Sequence, residues 1–499
     1  MSLTTTPRLP VEILTTIFEL VVYGGDSDST STFFQIGGPL PSQFLLMAVC
    51  KHWKKICASL PRLWENTTLS VISKVHVLRR GAPVWDQFAQ ACEKALKGRH
   101  GPLRLEIVDW HISDCSFEIN RLVKVTDHRS LANRVLALAL DESPRWQTFT
   151  MCGWKPILPQ HVGPCIPLLA LLDVKSRLSR LQDFAFFDLY RWMPQLLEPP
   201  PECADIFLSA PRLSSAIFNA GIIPFNLPWA QLTQVVLDAS SFGTYRKFAG
   251  YFDLVMRHTT ATTVMWHSPS YFIDGDDTFH NILPIVTNSH VVDLRVQALI
   301  LPPLRLPNLT RLRFIITDVR DGIQGSASCI LSLLANSGCR LADLTIDQLP
   351  QYYKGSIASF APFVPYLDTL HTLVWNAPLV NDAVLDNLID GLRDILTEPT
   401  KLPSLSTLEV NISESRYGYV QYCYFDSQHA DAVWDIVRTR MIGQGRRRLS
   451  KFHINVECDQ DDPMVVSVDV FKSSPAGKNI LAAGVDFKLE EPVGVCVVS

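Results

Sequence analysis

Asp274, Asp276, Asp277 and His280 fall in one short stretch, DGDDTFH, and carry the ligand types of a divalent-cation site. A calcium loop alternates its oxygen ligands and closes on a bidentate Glu. This stretch does neither and reads as a surface turn. Gly445 to Arg448, GRRR, has the composition of a nucleic-acid or targeting patch. It also follows a helical pattern ending near Met441, where cations favour the negative end of the helix dipole. No HExxH, GxSxG or P-loop sequence occurs in the chain, so no hydrolytic, metal or nucleotide chemistry is assembled by motif. The expectation is a chain with no catalytic residue, no metal and no cofactor.

Two groups remain whose chemistry is recognition. Tyr417, Tyr419, Tyr422, Tyr424 and Phe425 offer large contact area with polar tips, or else pack along the outer edge of the fold. Arg295, Arg311 and Arg313 offer paired donors for carboxylate or phosphate. Whether these arginines can act together depends on the elements that carry them.

Those elements repeat. From Leu103 onward a short strand of the form L-x-x-L-x-L recurs, usually after a helical stretch. Leu181, Leu213, Leu232, Ala261, Val291, Leu309, Leu341, Leu370, Leu405 and Leu449 head successive copies, and Trp146 heads a weaker earlier one. The unit is expected to bury positions one, four and six together, and the alternation of a strand turns positions three and five away from four and six. Position three reads Asp183, Ser215, Gln234, Thr263, Asp293, Arg311, Asp343, Thr372, Thr407 and Lys451, all polar. Position five reads Ala185, Ile217, Val236, Met265, Arg295, Arg313, Thr345, Val374, Glu409 and His453, apolar in the first copies and mostly polar later. Neighbouring strands stand about 4.8 Å apart. Arg295, Arg311 and Arg313 should therefore form one basic patch, with Asp293 and Asp343 beside it and Met265 on its apolar flank. A partner would lay an apolar segment on the early copies and an acidic or phosphorylated group on the arginines. The alternative is that Asp293 and Asp343 neutralise the arginines and an internal segment covers the apolar half.

Composition sets the class. The chain has 499 residues, a net charge of −4, 47% hydrophobic and 19% charged residues, which is a globular profile and argues against a nucleic-acid binder. No apolar run follows a basic N-terminal segment, and no run of eighteen apolar residues occurs. A cytoplasmic or nuclear protein with no membrane span is expected. The twelve cysteines are scattered with no C-x-x-C, so reduced, buried thiols are expected.

The N-terminal residues differ from the repeats. Pro10 can open a helix, Glu12 suits its first turn, and Leu14, Ile17, Phe18 and Val21 line one face. Leu46, Val49, Cys50 and Trp53 repeat those offsets, and a third segment from Lys54 to Leu60 stops at Pro61, with Leu63 and Trp64 as the apolar exit. Three short helices follow, too small to bury much surface alone. The start carried by Leu9, Pro10, Glu12, Ile13 and Leu14, the LMAVCKHW block of Leu46 to Trp53 and the exit at Pro61 and Trp64 resemble an F-box, as found in the large F-box-like families of mushroom-forming fungi. The departure is Gly24 to Gly38, a long connection of flexible composition. An ordinary helical hairpin is the plain alternative.

The repeats are similar to degenerate leucine-rich repeats, a stacked parallel sheet with helices outside; an ordinary α/β domain is the alternative. The expected architecture is α/β: an F-box-like helical module at 1–70, a joining segment at 71–102 with a strand at Val75 to Leu78, an irregular leucine-rich-repeat solenoid at 103–458, and a capping segment at 459–499 made of two strands, MVVSVDVF and ILAAGVDFKL. The resemblance implies the substrate-recognition subunit of a Skp-cullin-F-box ubiquitin ligase. Leu9, Pro10, Ile13, Leu14, Ile17, Leu46, Val49 and Trp53 would meet the Skp adaptor, and through it cullin, although some of them must form the module's own core. The repeats would bind the target protein. A binding scaffold that directs no degradation needs the same surfaces, and an enzyme on an α/β fold would need a pocket of convergent titratable groups.

Overall fold

The computed structural model describes residues 9–23, 32–35, 42–60, 63, 67–72, 90, 93, 96, 101–108, 136–152, 168–187, 203–219, 225–238, 245–267, 284–297, 301–316, 326–348, 361–379, 382–398, 400–414, 427–442, 449–457, 473–483 and 486–490. The chain divides into two compact units, Met1–Gly243 and Thr244–Ser499. That boundary lies inside the segment expected to form one array. The class is α/β, with parallel strands linked by helices and turns.

The first unit opens with α1 (Val11–Tyr23). Its first backbone bond runs from the Leu14 amide to the Pro10 carbonyl at 3.1 Å, so Pro10 stands just outside the helix. Leu14 and Phe18 are buried and Ile17 is half-buried, but Val21 is exposed. The expected apolar face is therefore in use only over its first half. Next come α2 (Ser42–Val49) and α3 (Lys51–Ser59), and both touch α1.

The expected continuous face of Leu46, Val49, Cys50 and Trp53 does not form. Cys50 is extended (φ −162°, ψ 168°) and caps α3, its Sγ accepting the Trp53 amide at 3.4 Å. An extended residue ends one helix and re-aims the next. Leu46 is buried, Val49 and Cys50 are exposed, and Trp53 belongs to the following helix.

Between α1 and α2 lies β1 (Thr32–Gln35), inside the connection expected to be flexible. It pairs with β2 (Thr67–Ile72), which pairs with β3 (Leu103–Val108). The sheet thus begins within residues assigned to the helical module. Phe33 and Phe34 supply the β propensity that outweighs the flanking Gly and Ser. The expected strand at Val75 to Leu78 lies outside the described residues. The sheet continues through β4 (Trp146–Cys152), β5 (Asp183–Phe187), β6 (Ser215–Asn219) and β7 (Gln234–Asp238), each parallel to the one before.

The second unit holds α4 (Tyr245–His258), β8 (Thr263–His267), a separate pair β9 (Val286–Thr287) and β11 (Leu304–Arg305), β10 (Asp293–Gln297), β12 (Arg311–Ile316), α5 (Ser326–Ser337) and β13 (Asp343–Gln348). It continues with β14 (Thr372–Leu379), α6 (Asp382–Leu396), β15 (Thr407–Glu414), α7 (Ser427–Val437), β16 (Lys451–Glu457), α8 (Pro475–Ala482) and β17 (Asp486–Glu490). Its main sheet runs β8-β10-β12-β13-β14-β15-β16-β17, parallel throughout.

The alternation expected from sequence is present in both units. Every residue heading a copy, from Leu181 to Leu449, is buried, as are those at positions four and six from Phe184 and Phe186 to Phe452 and Ile454. The strands begin alike. The Gln182 carbonyl accepts the amides of Ser214 and Ser215, and the Ser214 carbonyl those of Thr233 and Gln234. In the second unit the Thr262, Val292, Thr310, Ala342, His371 and Ser406 carbonyls each do the same for the next copy. This doubled bond fixes register at the start of these eight strands, so irregular spacing between their copies is absorbed in the returns. The returns in turn are pinned by buried donors. Arg145 reaches back to the Leu96 and Gly101 carbonyls at 2.9 and 2.8 Å, and Asn288 to Met256 and Thr259 at 2.8 and 3.0 Å.

The expected C-terminal strand ILAAGVDFKL is part helix. Ser474 caps α8, its Oγ accepting the Gly477 amide at 2.9 Å, and Pro475 follows at the first helical position. Ser-Pro here starts a helix rather than a turn. Only Asp486–Glu490 is strand, and it adds to β16 in parallel. MVVSVDVF lies outside the described residues. No helix among the described residues is long and apolar enough to cross a membrane.

Candidate functional site

Two surfaces carry the residues singled out in the sequence. On the first, Phe18 meets Trp53 edge-on with ring centroids 4.9 Å apart. Leu14, Leu46, Ile56, Cys57 and Leu63 are buried with Phe18, and the Gln43 amide donates to the Leu63 carbonyl at 2.9 Å, tying the chain's exit to α2. Each large apolar side chain so buried contributes about 1.5–3 kcal/mol. Leu14 and Leu46 are thus core residues, and Ile17 and Trp53 are half-buried.

Leu9, Pro10, Ile13 and Val49 stay open, at 51% for Leu9, 47% for Ile13 and 60% for Val49. Val11, Leu20, Val21 and Leu45 are exposed as well. Val11, Leu20 and Leu45 were missed, although their apolar type off the buried face of α1 and α2 was a readable signal, and Val21 had been placed on the face expected to be buried. Burial pushes the Cys57 thiol up to about 11.

The second surface is the face of the second unit's sheet formed by positions three and five. Register sets Met265 beside Arg295 and Arg295 beside Arg313, with Asp293 beside Arg311 and Arg311 beside Asp343. The three arginines come together as expected. Arg295 and Arg311 approach the same oxygen, Asp293 Oδ2, at 3.5 and 3.3 Å. Arg313 binds Asp347, four residues beyond the expected Asp343, and this hydrogen bond is the main reason its pKa is raised. The apolar half falls in two units. Ala185, Ile217 and Val236 lie in the first, where Ala185 is buried, and Met265 lies half-buried in the second.

Asp347 opens an amide row that the six-residue frame missed. Asn376 Nδ2 donates to Asp347 Oδ1 at 2.5 Å, Asn411 Nδ2 to Asn376 Oδ1 at 2.7 Å, and Asn455 Nδ2 to Asn411 Oδ1 at 2.6 Å. Asn411 also donates to Glu409 at 3.0 Å. All four residues occupy position seven of consecutive copies, in register. Recurrent Asn at that position was the available signal.

Among the described residues no cluster of three or more His, Cys, Asp or Glu side chains is arranged to hold a metal. The stretch Asp274 to His280, the aromatic cluster Tyr417 to Phe425 and Gly445 to Arg448 lie outside the described residues. No protein-family model matches the chain, and no characterised protein matches it at a significant level of similarity.

Proposed function

We propose that this chain is the substrate-recognition subunit of a Skp-cullin-F-box type ubiquitin ligase, without catalytic residues of its own. In this reading α1 to α3 form an F-box-like module that docks on the Skp adaptor, and the strands from Leu103 to Glu457 form an irregular leucine-rich-repeat solenoid whose polar face selects the target. The observation that carries it is the exposed apolar set Leu9, Val11, Ile13, Leu20, Val21, Leu45 and Val49 on and beside α1 and α2, whose Leu14, Phe18 and Leu46 are already buried. Apolar side chains left open on helices that already bury others favour a protein partner. The shared start of β6, β7, β10 and β12 to β16 supports the repeat reading.

The test is co-purification of the full chain with the Skp adaptor, compared with Leu9→Ser/Ile13→Asp/Val49→Asp. These side chains are open, so the variant keeps its fold and should lose the adaptor. Retention of the adaptor by the variant would remove the docking assignment. Point changes are preferable to deleting 1–70, because that deletion takes β1 and most of β2 with it.

A further inference from the structure

We infer that Arg295 and Arg311 form a carboxylate-binding site on the sheet face of the second unit, and that its occupant is an extended acidic segment of a partner polypeptide. The inference rests on reading this face as the target-binding one and names the chemistry it takes.

Exposure carries the first step. The Arg295, Arg311 and Arg313 side chains are 44, 55 and 52% exposed, whereas Asp293 and Asp347 beneath them are 9 and 13% exposed. An approaching partner meets guanidinium edges, with the carboxylates recessed as buttresses. The three arginines are not equivalent. Arg313 gives two nitrogens to Asp347, which also accepts from Asn376. Arg295 and Arg311 each give one nitrogen to a single shared oxygen. A guanidinium has five N–H donors in a planar fork, so most of the donors of these two remain, held together from adjacent strands. Two guanidinium nitrogens within reach of one oxygen are close enough for one incoming carboxylate to bridge. When one guanidinium turns outward the other stays on Asp293 Oδ2, so the buried carboxylate keeps a partner.

The surroundings decide between anions. Asp293, Asp343 and Asp347 all lie on this patch, so the second charge of a phosphate would meet three carboxylates, while a single carboxylate meets the same groups with half the repulsion. The open sheet gives a free ion no enclosure, and a chain segment supplies what the ion lacks. Along β12, Arg311 and Arg313 are two residues apart on one face. An extended segment presents alternate side chains at that same spacing, and Met265 and Val374 flank the arginines with half-buried apolar surface. The net charge of −4 gives no general attraction for anions, so binding must be local.

The experiment is fluorescence anisotropy of a short labelled peptide alternating Glu and Thr with the full chain, beside the same peptide carrying Gln, or phosphoserine, in place of Glu. The Glu peptide should bind, weaken as salt rises, and lose roughly tenfold or more in affinity in Arg295→Gln/Arg311→Gln. Arg257→Gln, an exposed change on α4, should leave binding as it is. Absence of Glu-peptide binding, equal binding of the Gln peptide, or an unaffected double variant would overturn the inference. Phosphoserine binding tenfold tighter than Glu would reassign the site to phosphate. Adaptor co-purification is read separately, so either result can fail without the other.

Discussion

Arg313 holds Asp347 across thirty-four residues of chain, Nε donating to Oδ2 at 2.5 Å and Nη2 to Oδ1 at 3.2 Å. The pair terminates the row Asp347, Asn376, Asn411 and Asn455, in which every amide points its N–H toward the preceding strand. The row's other end is open, since Asn455 Oδ1 is buried without a partner among the described residues.

Position within the row should therefore set the cost of a break. Asn411→Ala leaves Asn376 Oδ1 and Asn455 Nδ2 without partners and should cost about 1–3 kcal/mol. Asn455→Ala strands only Asn411 Oδ1, removes an already unsatisfied acceptor, and should cost less. Urea denaturation of both variants checks the order. Equal costs would mean the amides act as isolated side chains.

Arg440 should be more sensitive than any exposed arginine. It sits in a π-helical turn at Arg438–Ile442 and is 4% exposed. It donates to the carbonyls of Leu396, Glu398, Lys401 and Leu402 and has no ion pair with a carboxylate among the described residues, and burial lowers its pKa. Leu402 has φ of +48°, a left-handed conformation unusual for a residue with a side chain. Arg440→Met would strand several buried acceptors in that loop and should cost about 2–5 kcal/mol. Lysine should rescue only part of it, because an ammonium lacks the fork.

Cys50 and Cys57 should separate by reactivity. Cys50 is exposed and Cys57 is buried with a pKa near 11. The thiolate is the reactive form, so alkylation followed by site-resolved mass spectrometry at neutral pH should label Cys50 and spare Cys57 until the helices unfold. The raised value also sets a pH window. Stability from keeping this thiol neutral is fully present below the ordinary value near 9 and is lost as pH rises through about 11.

The docking surface should be lost without loss of stability. Leu9→Ser/Ile13→Asp/Val49→Asp alters only open side chains, and each such change typically stays within about 0.5 kcal/mol. Thermal melting should match the parent while adaptor co-purification disappears.

The sequence by itself determined the strands of the repeats, because alternation is local: the residues at positions four and six had to share a face opposite those at three and five. It also determined the helices before Ala261, Leu341, Leu405 and Leu449, whose apolar spacing needs no partner to be read. Only the tertiary structure decided which charges meet. Arg313 chose Asp347 over Asp343, and Asp293 took two arginines, because side chains reaching across strands settle by exposure and geometry that linear spacing does not hold. It likewise decided that TFFQ joins the sheet and that ILAA coils, since short apolar runs suit strand or helix and the neighbouring chain makes the choice. The same reason divides the N-terminal apolar residues. Leu14 and Leu46 turn inward while Ile13 and Val49 stay open, and an extended Cys50 puts Trp53 on a separate helix from Leu46 and Val49.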